Sequence, residues 1–201
     1  MNNYLKDTEF CTKELFDLIF KEKKMLELIK ENEKTSKLKI LHLNKEFDFQ
    51  QNSDDGNDIK LQSVFCEREK ERLKYNKLKK EIEILEYSIS NKNFSLQMLA
   101  GSVFQIAKQG ISIVHGNLKT CPNGRFIGKE TLKNIIWQAR NQSIHFEEGN
   151  FHNSVTSCFE NLKNIDSRLN LVNNENKSLY ILELLEWNNY EKYKDDMLTL
   201  S

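Results

Sequence analysis

The chain has 201 residues, 38% of them hydrophobic and 30% charged, with a mean hydropathy of −0.66. That size holds one domain, or one domain with an extension, and the polarity suits long solvated helices. Formal net charge is zero, so bulk charge selects no polyanionic partner.

One proline, Pro122, and seven glycines leave few helix breakers, which favours long helices over many short strands. Cys11, Cys66, Cys121 and Cys158 are scattered, with no CxxC pair for zinc or redox work. They read as free thiols of a cytoplasmic protein. Lys and Glu interrupt every apolar stretch, so no membrane span or secretory leader is expected.

Leu15, Leu18, Ile19, Leu26 and Ile29 fall at helical spacing and predict a helix over 3–33. A shorter one follows at KLKILHLNKEF. The polar run DFQQNSDDGND, residues 48–58, reads as a mobile loop. Residues 59–90 predict a long charged helix seamed by Leu61, Val64, Tyr75, Leu78, Ile82, Leu85 and Ile89, either a coiled-coil arm or an ordinary bundle helix. Asn93 or Ser95 is the expected cap of the next helix. Its stripe is Leu96, Leu99, Ala100, Val103, Ala107, Ile111 and Val114, widened by Phe104 and Ile106. Gly101 and Gly110 would let a neighbouring helix come close.

GNLKTCPNGRFIG, residues 116–128, is a loop. A helix from Lys129 to Glu148 follows, stopped by Gly149. Asn150 is the expected cap of a further helix with Phe151, Val155, Phe159, Leu162, Ile165, Leu169 and Val172 as its seam. Shorter helices are expected at LYILELLEW and EKYKDDMLTL. No strand and no repeat is expected. The division is a helical N-terminal portion, 1–92, and a core, 93–201, in one all-α bundle.

The charge is not evenly spread. Residues 101–146 hold six basic side chains, Lys108, Lys119, Arg125, Lys129, Lys133 and Arg140, against the single acidic Glu130. A local basic patch in a neutral chain is the footprint expected for a polyanion. Within it lies WQARNQSIHFEEG, residues 137–149. At 100° per residue, Leu132, Ile136, Ala139, Ser143 and Phe146 share a core face. Trp137 and Ile144 form a second apolar strip, with Arg140 on one side of it and His145 on the other. A second strip calls for a second packing partner. Arg140 and His145 are about 140° apart around an ideal helix, so one straight helix does not converge them, whereas a twofold partner could.

Arg140-Asn141-Gln142-Ser143-Ile144-His145 resembles the motif of HEPN domains, an arginine followed by four to six residues and a histidine, with a polar residue after the arginine. The resemblance covers residues 93–175. It implies an all-α HEPN-like helical bundle, often dimeric, acting as a metal-independent endoribonuclease in toxin or antiviral-defence systems. It also implies an antitoxin or other regulatory protein partner. The residue types suit the chemistry. RNA carries its own nucleophile, the 2′-OH. Histidine exchanges protons near neutrality, and arginine forks two hydrogen bonds to phosphate oxygens. The resemblance assigns acid/base work to His145, phosphate binding and charge stabilisation to Arg140, and positioning to Asn141. The products would be a 2′,3′-cyclic phosphate and a 5′-hydroxyl, with no cofactor.

Lys108, Arg125, Lys129 and Lys133 are candidate RNA contacts, and Trp137 and Ile144 candidate dimer contacts. His115 and Lys108 are candidates for the same groove. His145, Glu148 and His152 have the spacing of metal ligands on a continuous helix, but Gly149-Asn150 breaks that helix and no fourth ligand is evident, so no metal site is expected. The competing reading is a non-catalytic helical interaction protein, a scaffold or sensor in a defence complex. It would use the 59–90 helix and the Trp137/Ile144 strip.

Overall fold

The structure, a computed structural model, describes residues 1–51, 58–172 and 174–201, except for the side chains of 43–51, 58–68 and 71. The fold is all-α apart from one small hairpin. Helix α1 spans Asn2–Gln51 and α2 spans Asp58–His115. Two helices expected in the first 50 residues are thus one, and the helices expected on either side of Asn93 are also one. No glycine or proline lies between residues 2 and 51, or between 58 and 100. Asn93 and Ser95 cost a few tenths of a kcal/mol each inside a helix, too little to end it without a breaker. Leu61, Val64 and the whole 48–58 run lie outside the described side chains, and residues 52–57 outside the described residues.

The chain divides into two compact units, Lys24–Asn93 and Met1–Lys23 with Phe94–Ser201. The first pairs the later part of α1 with the early part of α2. Leu26 and Ile82 are buried there, and Tyr75, Leu78, Leu85 and Ile89 are half-buried, as the heptad spacing predicts. The Ser36 hydroxyl donates to Glu81 Oε1 at 3.2 Å, and Lys37 pairs with Glu86 at 2.9 Å.

The second unit holds the main core. Its α1 seam is Leu5, Thr12, Phe16 and Ile19, while Leu18 points outward, since neighbouring positions on a helix cannot share one narrow face. Leu96, Ala100, Val103, Phe104, Ala107 and Ile111 of α2 are fully buried. Both helical glycines mark close approaches. A Cβ on Gly110 would lie 2.7 Å from the Tyr4 ring, and one on Gly101 would lie 3.3 Å from Ser143 Cβ.

Strands β1, Phe126–Ile127, and β2, Glu130–Thr131, form an antiparallel hairpin that the sequence reading missed. Gly128 has φ +60°, and positive φ at the first of two turn residues suits a tight hairpin. Helix α3 therefore starts late, at Leu132, and ends at His145. Thr131 caps it by accepting from Asn134 N, and the backbone carbonyls of Arg125 and Asn123 take Leu132 N and Lys133 N. These bonds satisfy donors that a helix start leaves orphaned.

Helices α4 (Asn153–Leu162), α5 (Ser178–Leu184) and α6 (Tyr190–Leu198) complete the unit. His152, not Asn150, is the α4 cap position. Ile165 and Val172, expected in that helix's seam, lie beyond its end and are exposed. Between α5 and α6 the fully buried Trp187 stacks on Phe104 and meets Tyr193 edge-on. Its indole N–H donates to Asp196 Oδ2 at 2.7 Å. Arg125 Nε and Nη2 also donate to that buried carboxylate, each at 2.8 Å, and Nη2 donates to Leu185 O. Among the described residues no helix is long and apolar enough to cross a membrane.

Asp196 thus joins Arg125, just ahead of β1, to Trp187 and α6. Asp196→Ala should lower stability by about 2 kcal/mol, because it strands the buried Trp187 indole N–H and removes the acceptors of the more exposed Arg125 fork. The exposed neighbour serves as control: Asp195→Ala should stay within about 0.5 kcal/mol. Urea unfolding of both variants checks this, and equal losses would contradict it.

Candidate functional site

Helices α2 and α3 pack antiparallel. Gly101 faces Ser143, Gln105 bonds Arg140, and Lys108 lies over the Trp137 ring at 4.5 Å, so residue numbers rise along one helix as they fall along the other. The core face of α3 is wider than predicted. Leu132, Ile135, Ile136, Gln138, Ala139, Gln142 and Ser143 are buried, and Phe146 is only half-buried.

Arg140 is part-buried. Its Nε donates to Gln105 Oε1 at 2.8 Å and its Nη1 to Asn141 Oδ1 at 3.3 Å. Both acceptors are neutral amides. Arg72 pairs with Glu69, Arg125 with Asp196, and Arg168 with Asp166 and Glu183. Among the described arginine side chains, Arg140 is the one with no carboxylate partner. Its geometry is held, yet its charge is left uncompensated. Asn141, expected to position the site, accepts from Arg140.

The amides continue along α3. Asn141 Nδ2 donates to Gln138 Oε1 at 3.3 Å, Gln138 Nε2 to Asn134 Oδ1 at 3.1 Å, and Asn134 Nδ2 to Glu130 Oε2 at 2.6 Å. Glu130 is buried at the start of α3, and its other oxygen accepts from Asn161 Nδ2 at 2.7 Å. Burial, and then the Glu130 charge, pushes the neighbouring Cys158 thiol far above its ordinary range and keeps it protonated.

His145 closes α3 at the other end. Its ring is exposed, and Nδ1 lies 2.7 Å from Glu148 Oε1. A carboxylate only accepts, so Nδ1 carries the hydrogen, and in the neutral ring Nε2 is then the acceptor. Glu148 sits in the 3-10 turn Phe146–Glu148, which ends at Gly149 with φ +65°. This end of α3 is anchored by the buried Gln142, whose Nε2 donates to Glu175 O at 2.7 Å and whose Oε1 accepts from Lys177 N at 2.9 Å. Arg140 turns to α2 and His145 turns to its own C-terminal turn. The two are not brought together within the chain.

The remaining candidates divide. Lys108 lies over Trp137, next to Arg140. Ile144 is 50% exposed. Lys129 is exposed in the hairpin turn. The proposed RNA role of Arg125 does not fit, because its fork is engaged by Asp196 and Leu185 O and its charge is neutralised. The Lys133 ammonium donates to Cys121 O at 2.6 Å and so ties the loop to α3. His115 Nε2 bonds Leu200 O at 2.6 Å, away from the Arg140 face. Among the described residues no group of three His, Cys, Asp or Glu side chains is arranged to hold a metal. The parts of Gln105, Gln138 and Glu130 went unread in the sequence. The 134, 138, 141 spacing on one helix was the available signal.

No family model, curated protein or solved structure matches the chain.

An oriented guanidinium without a counter-ion should take an anion. Replacing chloride by inorganic phosphate at constant ionic strength should raise the melting midpoint of the wild type by about 3 °C more than that of Arg140→Met, once phosphate is about tenfold above its Kd. Equal rises would contradict the anion site.

Proposed function

We propose that the protein is a metal-independent endoribonuclease of the HEPN type, acting in the cytoplasm as a toxin or antiviral-defence effector. Its site pairs Arg140 of one copy with His145 of a second. The observation that carries this reading is the Arg140 guanidinium, held by Gln105 and Asn141 and lacking a carboxylate among the described residues. A phosphate supplies the missing charge and the planar, two-oxygen partner that the fork fits.

His145 supports the reading from the other side. With Nδ1–H donated to Glu148, Nε2 accepts the proton of the ribose 2′-OH. The 2′-oxygen then attacks phosphorus, the P–O5′ bond breaks, and the 5′-oxygen leaves as a hydroxyl after taking a proton from solvent. The other product is the 2′,3′-cyclic phosphate. Arg140 stabilises the extra charge on the phosphorane, a contribution of about 3–4 kcal/mol for a well-placed charged donor.

Ile144, Phe94 and Met98 support a second copy as the partner that completes the site. They are 50%, 56% and 45% exposed; Ile144 precedes His145 on α3, and Phe94 and Met98 lie on α2 shortly before Gly101, which faces Ser143. Such side chains need cover, and an isologous interface supplies it while bringing Arg140 of one chain to His145 of the other. An antitoxin or regulatory partner follows from the family resemblance.

Purified protein with end-labelled structured RNA and EDTA tests the reading. Wild type should cut and leave cyclic-phosphate ends. Arg140→Ala and His145→Ala, folded alike, should each lose about 100-fold or more in kcat. Glu148→Gln should lose about tenfold with KM unchanged, as expected for a residue that only orients His145. Equal cutting by all four proteins would sink the assignment. No cutting by wild type, with apolar changes at Phe94 or Ile144 breaking assembly, would favour a scaffold.

A further inference from the structure

The bonds along α3 have a direction. An ionised carboxylate accepts and never donates. Glu130 therefore forces Asn134 to present its NH2 group, at 2.6 Å. That leaves Asn134 Oδ1 facing the next turn, where it accepts from Gln138 Nε2. Gln138 Oε1 in turn accepts from Asn141 Nδ2, and Asn141 Oδ1 is left facing Arg140 Nη1. Each amide has two possible orientations in isolation, and here each is settled by the one before it. The run starts on a group that is fixed: Glu130 is buried, tied at its second oxygen by Asn161, and placed by the β1–β2 hairpin. It ends on a guanidinium held from the other side by Gln105 of α2.

We propose that Glu130 is a positioning residue for the Arg140 site: through the amides of Asn134, Gln138 and Asn141 it fixes which edge of the guanidinium is occupied and which is presented to phosphate. The proposal rests on the ribonuclease reading for its functional consequence, but not for its structural one. From Asn134 to Arg140 the relay spans six residues of helix, about 9 Å, beyond its root in β2. A carboxylate directly on Arg140 would neutralise the charge the site needs. Placed a relay away, it orients the guanidinium without pairing with it. Gln105 completes the hold, since with Nε and one Nη1 hydrogen engaged, Nη2 has no protein acceptor among the described residues.

The test uses the full chain. Gln138→Met keeps the shape of a buried side chain and cuts the relay in the middle. Glu130→Gln keeps the shape at its root and removes the acceptor-only group. The readout is hydrogen exchange at the Arg140 Nε–H resonance, identified by its loss in Arg140→Lys. Circular dichroism confirms that helix content is retained. Exchange should quicken about tenfold in Gln138→Met and in Glu130→Gln, and the double variant should be no faster than Gln138→Met alone, because the relay is already cut downstream. In the cleavage assay the same variants should lose about tenfold in kcat with KM within about twofold, less than removal of the guanidinium itself. Unchanged Arg140 exchange in Gln138→Met, or additive effects in the double variant, would overturn the relay. If Glu130→Gln does not fold, Gln138→Met decides alone. Quickened exchange in a protein that cuts no RNA would uphold the relay and refute the ribonuclease reading.

Discussion

Where α2 crosses α3, Gly101 carries no side chain and Ser143 fills the space a Cβ would need. That close approach sets the register of the two helices. One turn further along, Gln105 meets Arg140, and one turn beyond that Lys108 covers Trp137. Close packing of this kind tolerates little slippage, because interiors are filled to crystal-like density. A larger residue at 101 would separate the helices and free the guanidinium from its amide acceptor. The site therefore depends on a helix–helix contact made by small residues away from the guanidinium itself.

The two ends of α3 are built differently. Its start is dry and fixed: Glu130 is buried, Thr131 caps the helix, and the hairpin and the loop carbonyls hold the first turn. Its end is wet, with an exposed imidazole paired to an exposed carboxylate in a short turn. Under the proposed ribonuclease function, the fixed start roots the amide run that reaches Arg140, and the wet end leaves His145 open to proton exchange with water. Gln142 links the two regimes, since its buried amide pins the exit of the helix to the backbone of 175 and 177.

Much of the fold was legible because it rests on periodicity. The stripe over 75–89, the core positions Leu132, Ile136, Ala139 and Ser143, and the stop at Gly149 all follow from helical spacing or backbone conformation. The close approaches at Gly101 and Gly110 were readable for the same reason. Leu18 was misplaced because two adjacent apolar residues, Leu18 and Ile19, compete for one face. The break expected near Asn93 failed because capping residues mark a boundary only where the backbone has cause to leave the helix. The hairpin at 126–131 is two residues per strand, below the length at which alternation can be recognised. Arg125 looked like an RNA contact because its partner, Asp196, is 71 residues away in sequence. Gln105 was hidden likewise, 35 residues from Arg140. Local spacing identifies faces of helices; which polar groups meet across them depends on packing.

The proposed ribonuclease needs Arg140 and His145 to act together across two copies of the chain. Mixing Arg140→Ala with His145→Ala, each inactive alone, under conditions that exchange subunits, tests it directly. Half of the randomly formed dimers then carry both substitutions, and each of these has one intact composite site, so about a quarter of wild-type RNA cleavage should return. No recovery, with subunit exchange confirmed by a mass tag, would contradict a site shared between two chains.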